Sequence, residues 1–196
     1  MNRENFKKLV KTIINEIQQD QSPAVKPNPT DTKISYSAVI LDKDSREDLK
    51  KFANDFEVNG VRLEMLVRNS GWKMVCHHMT LKTGELPENL KKLLFDEKSK
   101  RKIPEEERTE QTMEIDAHGY TDKAMAVRVN ICSILPTSRT NYMKKTAHIT
   151  VAINERGGGR AVNSNDIINW KTLDKSIKLT GKVDEVPEVS QAPKVK

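Results

Sequence analysis

The spacing of apolar positions changes period along the chain, and each change predicts an element. Phe6, Leu9, Val10, Ile13, Ile14 and Ile17 recur at i, i+3, i+4 and i+7, with Lys7, Lys8 and Lys11 on other faces. That pattern predicts an amphipathic helix over residues 1–20. The polar, Pro-rich stretch QSPAVKPNPTDT then predicts a flexible linker over 21–33. Residues 36–41 (YSAVIL) have strand character, followed by a turn at 42–44. Ser45 with Asp48 three residues on has the form of a capping box, and Leu49, Phe52, Ala53 and Phe56 repeat at helical spacing, predicting a helix over 45–57. Residues 61–67 fit a strand and a helix equally well. Pro87 opens a predicted helix carrying Leu90, Leu93 and Leu94, and the charge-dense 96–111, with its basic run KSKRK, reads as a solvated loop. Residues 112–118 and 124–132 are predicted strands joined by a turn at 119–122. Ser164 or Asn165 caps a predicted short helix through Trp170. Ile177, Leu179, Gly181 and Val183 alternate as a last strand, before a Pro-, Val- and Lys-rich tail, 186–196, expected to be disordered.

Two strand-like segments share one frame: His78-Met79-Thr80-Leu81 and His148-Ile149-Thr150-Val151. Successive side chains of a strand point to opposite faces, so each His and the Thr two residues on share a face while the apolar residues enter a core. In the second copy Ala147, Ile149, Val151 and Ile153 form the apolar row. In the first, Val75, His77, Met79 and Leu81 take the core side, and Cys76, His78 and Thr80 the other. Two strands that each offer an imidazole and a hydroxyl to one cleft make a site for phosphate chemistry. The strands lie seventy positions apart (148 − 78), which predicts a two-lobed α+β domain with one His strand per lobe.

Composition narrows the setting. The 196 residues suffice for one domain with a real core plus appendages, and 32% are charged. No apolar run reaches the roughly 18 residues of a membrane span and no secretory core is present, so the expectation is a cytoplasmic protein without membrane contact. A formal net charge of +6 favours anionic partners such as nucleotides or RNA. Cys76 and Cys132 make neither a disulfide framework nor a zinc ribbon, and are expected as buried thiols.

The residues also resemble a known family. Paired His-apolar-Thr-apolar motifs resemble the two-histidine (2H) phosphoesterase superfamily. More narrowly, WKMVCHHMTL, TDKAMAV, AHITVAIN, GGGRAVNSNDI and LTGKVDEV look like its Swiss-army-knife RNA-repair-type, RNA ligase-like cyclic phosphodiesterase branch, over residues 34–185. The resemblance implies a bilobal fold of two β-rich lobes around a central cleft, no metal or cofactor, and catalytic roles for His78, Thr80, His148 and Thr150. Its substrates would be 2′,3′-cyclic phosphate or related ribose phosphodiester bonds, in RNA ends, small nucleotides or signalling cyclic oligonucleotides.

The chemistry agrees with the groups. Such hydrolysis needs two proton transfers, and an imidazole with an ordinary pKa near 6.5 supplies either role at neutral pH. Two threonine hydroxyls would hold the non-bridging phosphate oxygens. Tyr36 as a base-stacking ring, Arg160 as a phosphate contact and Trp170 as a cleft-closing ring are secondary substrate-binding candidates. Each has an alternative as ordinary packing or surface. His77 faces away from the cleft on strand alternation, and His118 reads as a core or edge histidine. Three glycines at 157–159 permit either close backbone approach to a ligand or an unusual turn. The competing readings are a non-catalytic RNA- or nucleotide-binding module, a zinc site on Cys76, His78, His118 and His148, and a protein-docking or self-association role for the N-terminal helix.

Overall fold

The computed structural model describes residues 33–134 and 146–188. The expected N-terminal helix, the linker before Lys33 and the tail after Glu188 lie outside the described residues. What is described is a mixed α+β domain made mostly of strands.

Strands β1 (Ile34–Leu41), β4 (Trp72–Met74), β5 (His78–Thr83), β6 (Glu110–Tyr120), β7 (Ala124–Cys132), β8 (His148–Asn154) and β9 (Trp170–Pro187) form one sheet in the order β4-β8-β5-β1-β9-β6-β7. Because β7 also pairs with β8, six antiparallel strands close into a barrel, which removes the exposed edges an open sheet would carry. β4 adds to the same edge of β8 as β5, but further along it: Met74 pairs with Ala152, whereas Met79 pairs with Ile149. The short hairpin β2 (Glu57–Val58) and β3 (Val61–Arg62) stands apart.

Alternation explains which face meets the core. Val39, Met79, Leu81, Ile149, Val151 and Val127 are buried and pack with Leu49, Ala53, Leu63 and Leu94 from the connections. Each such side chain contributes roughly 1.5–3 kcal/mol when removed from water. Among the described residues no helix is long and apolar enough to cross a membrane.

Several boundaries differ from the sequence expectation, each for a local reason. Helix α1 (Lys43–Ala53) starts two residues early because Asp42, read as part of a turn, is its N-cap and accepts from the Ser45 amide at 2.7 Å. The Asp42 carboxylate also takes the Thr180 hydroxyl from β9, fastening the start of the helix to the barrel. Residues 61–67, ambiguous in sequence, divide into β3 and helix α2 (Leu63–Asn69). The expected helix after Pro87 is a 3-10 helix, Glu88–Leu93, with Leu90 and Leu94 buried. The charge-dense segment after it is seated rather than freely solvated: Lys102 and Arg108 both bind the Asp184 carboxylate of β9, at 2.7 and 3.2 Å.

The continuous alternation expected from Val75 through Leu81 is broken between β4 and β5. Cys76 takes a left-handed conformation at φ 45°, which interrupts the alternation and turns its side chain into the core, where the thiol contacts the Val151 carbonyl at 3.5 Å. Cys76 therefore does not share the face of His78 and Thr80. At the other end of the chain, the expected helix through Trp170 is a 3-10 helix that stops at Asp166, and Trp170 begins β9, paired with Gly119 of β6.

Candidate active site

The two motif strands are direct neighbours. The antiparallel pair Met79–Ile149 sends both of its fully buried side chains to the core. Its register sets position 78 beside 150 and position 80 beside 148. His78, Thr80, His148 and Thr150 consequently share the opposite face, arranged so that each histidine lies across from the other strand's threonine. The four candidate catalytic residues are brought together.

The two histidines sit in unlike surroundings. His78 is half-buried and stacks on Tyr36, with ring centroids 4.8 Å apart and planes 20° apart. Its Nδ1 lies 3.1 Å from Nδ1 of His77. Burial first, then the nearby positive charges of His77 and His148, push its pKa down to about 4. His77 was expected to face away. The left-handed Cys76 spoils that alternation, and His77 instead touches His78, its own pKa lowered by burial and by Arg46. Thr80 is exposed.

His148 is held by oxygen atoms. Its Nδ1 lies 2.8 Å from the Thr146 carbonyl and its Nε2 lies 2.8 Å from the Ser164 hydroxyl. Ser164 Oγ also lies 2.9 Å from the Thr150 hydroxyl and donates to the Ala161 carbonyl at 2.6 Å. Ser164 is buried at 2% exposure, so this contact belongs to the interior of the site. On β7, Arg128 pairs in register with His148, and its guanidinium is clamped by Asp116 through two bonds of 2.7 and 3.0 Å.

The glycine-rich loop is what carries Ser164 there. Asn154 at the end of β8 binds the Lys123 carbonyl through its amide at 2.9 Å, and its side chain caps the turn by accepting from the Gly157 amide at 2.9 Å. Gly158 takes φ 72°, and a Cβ on Gly159 would stand 2.3 Å from the Lys123 carbonyl oxygen. Of the two roles open to these glycines, they serve a tight turn packed on the barrel. Arg160 follows, its amide bonded to Asn163 at 2.9 Å, and the 3-10 turn Ala161–Asp166 delivers Ser164 to His148.

The secondary candidates divide. Tyr36 is at the site, but one ring face is taken by His78. Trp170 lies 6.4 Å from the His148 ring at a tilt of 43°, next to the second motif. Arg160 is exposed, one residue from the Ala161 carbonyl of the His148 network, and its guanidinium makes no ion pair among the described residues. His118 is apart from the site. It is buried and stacks on Phe56 at 4.2 Å, with Nδ1 lacking a hydrogen-bond partner and with its pKa lowered by burial and Lys171.

Sequence reasoning missed Ser164 as a site residue and gave His77 no role. The signal for Ser164 was its place in a polar run after three glycines, read as a helix cap. The zinc alternative loses its ligands: Cys76 is in the core against Val151 and His118 is stacked on Phe56. Among the described residues no cluster of three or more His, Cys, Asp or Glu side chains is placed to hold a metal ion. No known family's sequence profile matches this chain, and neither does any curated protein.

Proposed function

We propose that this protein is a phosphodiesterase of the two-histidine phosphoesterase superfamily, in its Swiss-army-knife RNA-repair-type branch. It hydrolyses a 2′,3′-cyclic phosphate or a related ribose phosphodiester in RNA ends or nucleotides, cyclic oligonucleotides included. The observation that carries the reading is the Met79–Ile149 register, which sets two His/Thr pairs on one face of adjoining strands. In this reading the strand sets that meet there are two β-rich lobes around one cleft, and neither a metal nor another cofactor takes part.

The surroundings of each histidine support a division of labour. His78, kept neutral by burial, is the general base: when it donates Nδ1–H to His77, its Nε2 lone pair is left to accept a proton from water or a ribose hydroxyl. His148, surrounded by acceptor oxygens, is the general acid that protonates the leaving oxygen. Thr80 and Thr150 donate to the non-bridging oxygens as charge develops on them. Tyr36, Trp170 and Arg160 flank these groups as contacts for a base and a second phosphate.

The test is hydrolysis of a nucleoside 2′,3′-cyclic phosphate, a cyclic-phosphate-ended RNA and a cyclic dinucleotide in the presence of EDTA. Turnover should persist in EDTA and fall by roughly 10²–10⁴-fold in His78→Ala and in His148→Ala. Tight binding of these ligands with no turnover of any would replace the enzyme reading with a nucleotide-binding module.

A further inference from the structure

We propose that Ser164 is the resident occupant of the phosphoryl-oxygen subsite formed by His148 and Thr150, and that a phosphate oxygen must displace it to bind. The inference rests on the phosphodiesterase reading for the identity of the anion, but its geometry stands independently.

A phosphate oxygen at this half-site would accept one hydrogen bond from the His148 ring and one from the Thr150 hydroxyl. Ser164 Oγ occupies that position: it is 2.8 Å from His148 Nε2 and 2.9 Å from Thr150 Oγ1. With Nδ1 turned to the Thr146 carbonyl at 2.8 Å, both ring nitrogens are engaged by the protein. A proton on Nε2 reaches a substrate oxygen only after Ser164 moves.

Counting protons shows what the occupied state holds in readiness. The carbonyls of Thr146 and Ala161 accept only, and a serine hydroxyl has one proton to give. Ser164 commits that proton to Ala161 across 2.6 Å. Its contact with Nε2 then requires a proton from the ring, and the Thr146 contact requires a second one on Nδ1. All these bonds exist together only when His148 is doubly protonated. In a neutral ring with its proton on Nδ1, Ser164 must turn its own proton to Nε2 and give up its 2.6 Å bond to Ala161. Among the described residues, Arg128 stands in register with His148, held by Asp116, and His78 lies near it on β5. Ser164 therefore covers Nε2 of His148 and the hydroxyl of Thr150 until an anion arrives.

The segment that carries Ser164 is a short 3-10 helix after Gly157–Gly159, with Val162 and Ile168 63% and 85% exposed and Ile167 buried against the barrel, so Ser164 has to move with Ile167 still anchored.

The experiment is titration of the protein with inorganic phosphate, read by ³¹P line shift and by imidazole ¹⁵N signals, in wild type, Ser164→Ala and Thr150→Val. Ser164→Ala should bind phosphate about 3- to 10-fold more tightly, the effect of removing one competing hydrogen bond. Thr150→Val should bind it more weakly. In wild type, phosphate should shift the Ser164 and Ala161 amide signals together with the His148 ring, a readout that does not depend on the Ser164 variant folding. Unchanged or weaker phosphate binding in a folded Ser164→Ala, or a wild-type His148 shift without movement of Ser164, overturns the proposal. Because binding is measured without turnover, absence of hydrolysis sinks only the enzyme reading, whereas hydrolysis with these binding results reversed sinks only the role of Ser164.

Discussion

Replacing His78 with asparagine should change how stability depends on pH more than it changes stability at pH 7. In the folded chain the His78 pKa is pushed from 6.5 down to about 4, by burial and then by the charges of His77 and His148. The unfolded chain keeps the ordinary value near 6.5, so below it the unfolded state binds the proton that the folded state refuses. Stability from this group is thus fully present above pH 6.5 and is lost as pH falls toward 4. A tenfold change in proton affinity corresponds to about 1.4 kcal/mol, so the full loss approaches about 3 kcal/mol; at pH 5 it is about 2 kcal/mol and at pH 7 about 0.2 kcal/mol. Denaturant unfolding of wild type and His78→Asn at pH 7 and pH 5 reads this directly. His118, whose pKa is also lowered, remains in both proteins apart from position 78 and cancels to first order, whereas His77 touches His78 and its own ring signal has to be followed through the same pH range. Wild type should lose about 2 kcal/mol more than the variant between the two pH values. A difference under about 0.5 kcal/mol would mean that His78 titrates normally, and with it would go the argument for a neutral base.

Two further outcomes follow from local geometry. Gly159→Ala places a Cβ 2.3 Å from the Lys123 carbonyl and 2.8 Å from that of Asn154, both backbone atoms that cannot swing away. It should lower the melting temperature and detach Ser164 from His148, seen as an altered His148 ring signal, whereas Gly158→Ala meets no atom and should suffer only the strain of its φ of 72°. The Cys76 thiol, pushed up to about 12 mainly by burial, should resist alkylation at pH 8 in the native protein and react only at the rate of unfolding, as mass spectrometry of a time course would record.

Much of the site was legible because a half-buried strand writes its two faces into the sequence. Met79 and Leu81, like Ile149 and Val151, are in the core as the alternation requires, and His78, Thr80, His148 and Thr150 face the other way. Alternation fails where the backbone leaves the β region. One left-handed residue, Cys76, was enough to misplace both its own thiol and His77. Closure of the barrel was not legible, because pairing of β7 with β8 and of β1 with β9 depends on partners distant in sequence and leaves no periodic mark. Trp170 was read as the end of a helix for a related reason. Its local polar run satisfies helix-cap rules, but β6 supplies ladder partners that extend β9 back to position 170. Ser164 was hidden differently: nothing in the run NSN says which hydroxyl a tight turn will bury against a histidine sixteen residues earlier.

The two half-sites are related by their motif yet unlike in surroundings, and the asymmetry that the proposed mechanism uses lies in the neighbours. A ring that is desolvated, stacked on Tyr36 and set beside a second histidine sheds its proton. The other ring is held at both nitrogens, by the Thr146 carbonyl and the Ser164 hydroxyl. Environments that push two like groups apart are how a single residue type furnishes both an acid and a base at one pH. Exchanging the roles would require exchanging those neighbours, since the His-x-Thr segments themselves are interchangeable. On the phosphodiesterase proposal, the residues that would decide the direction of proton flow are Tyr36 and His77 on one side and Ser164 on the other, none of which belongs to either His-x-Thr motif.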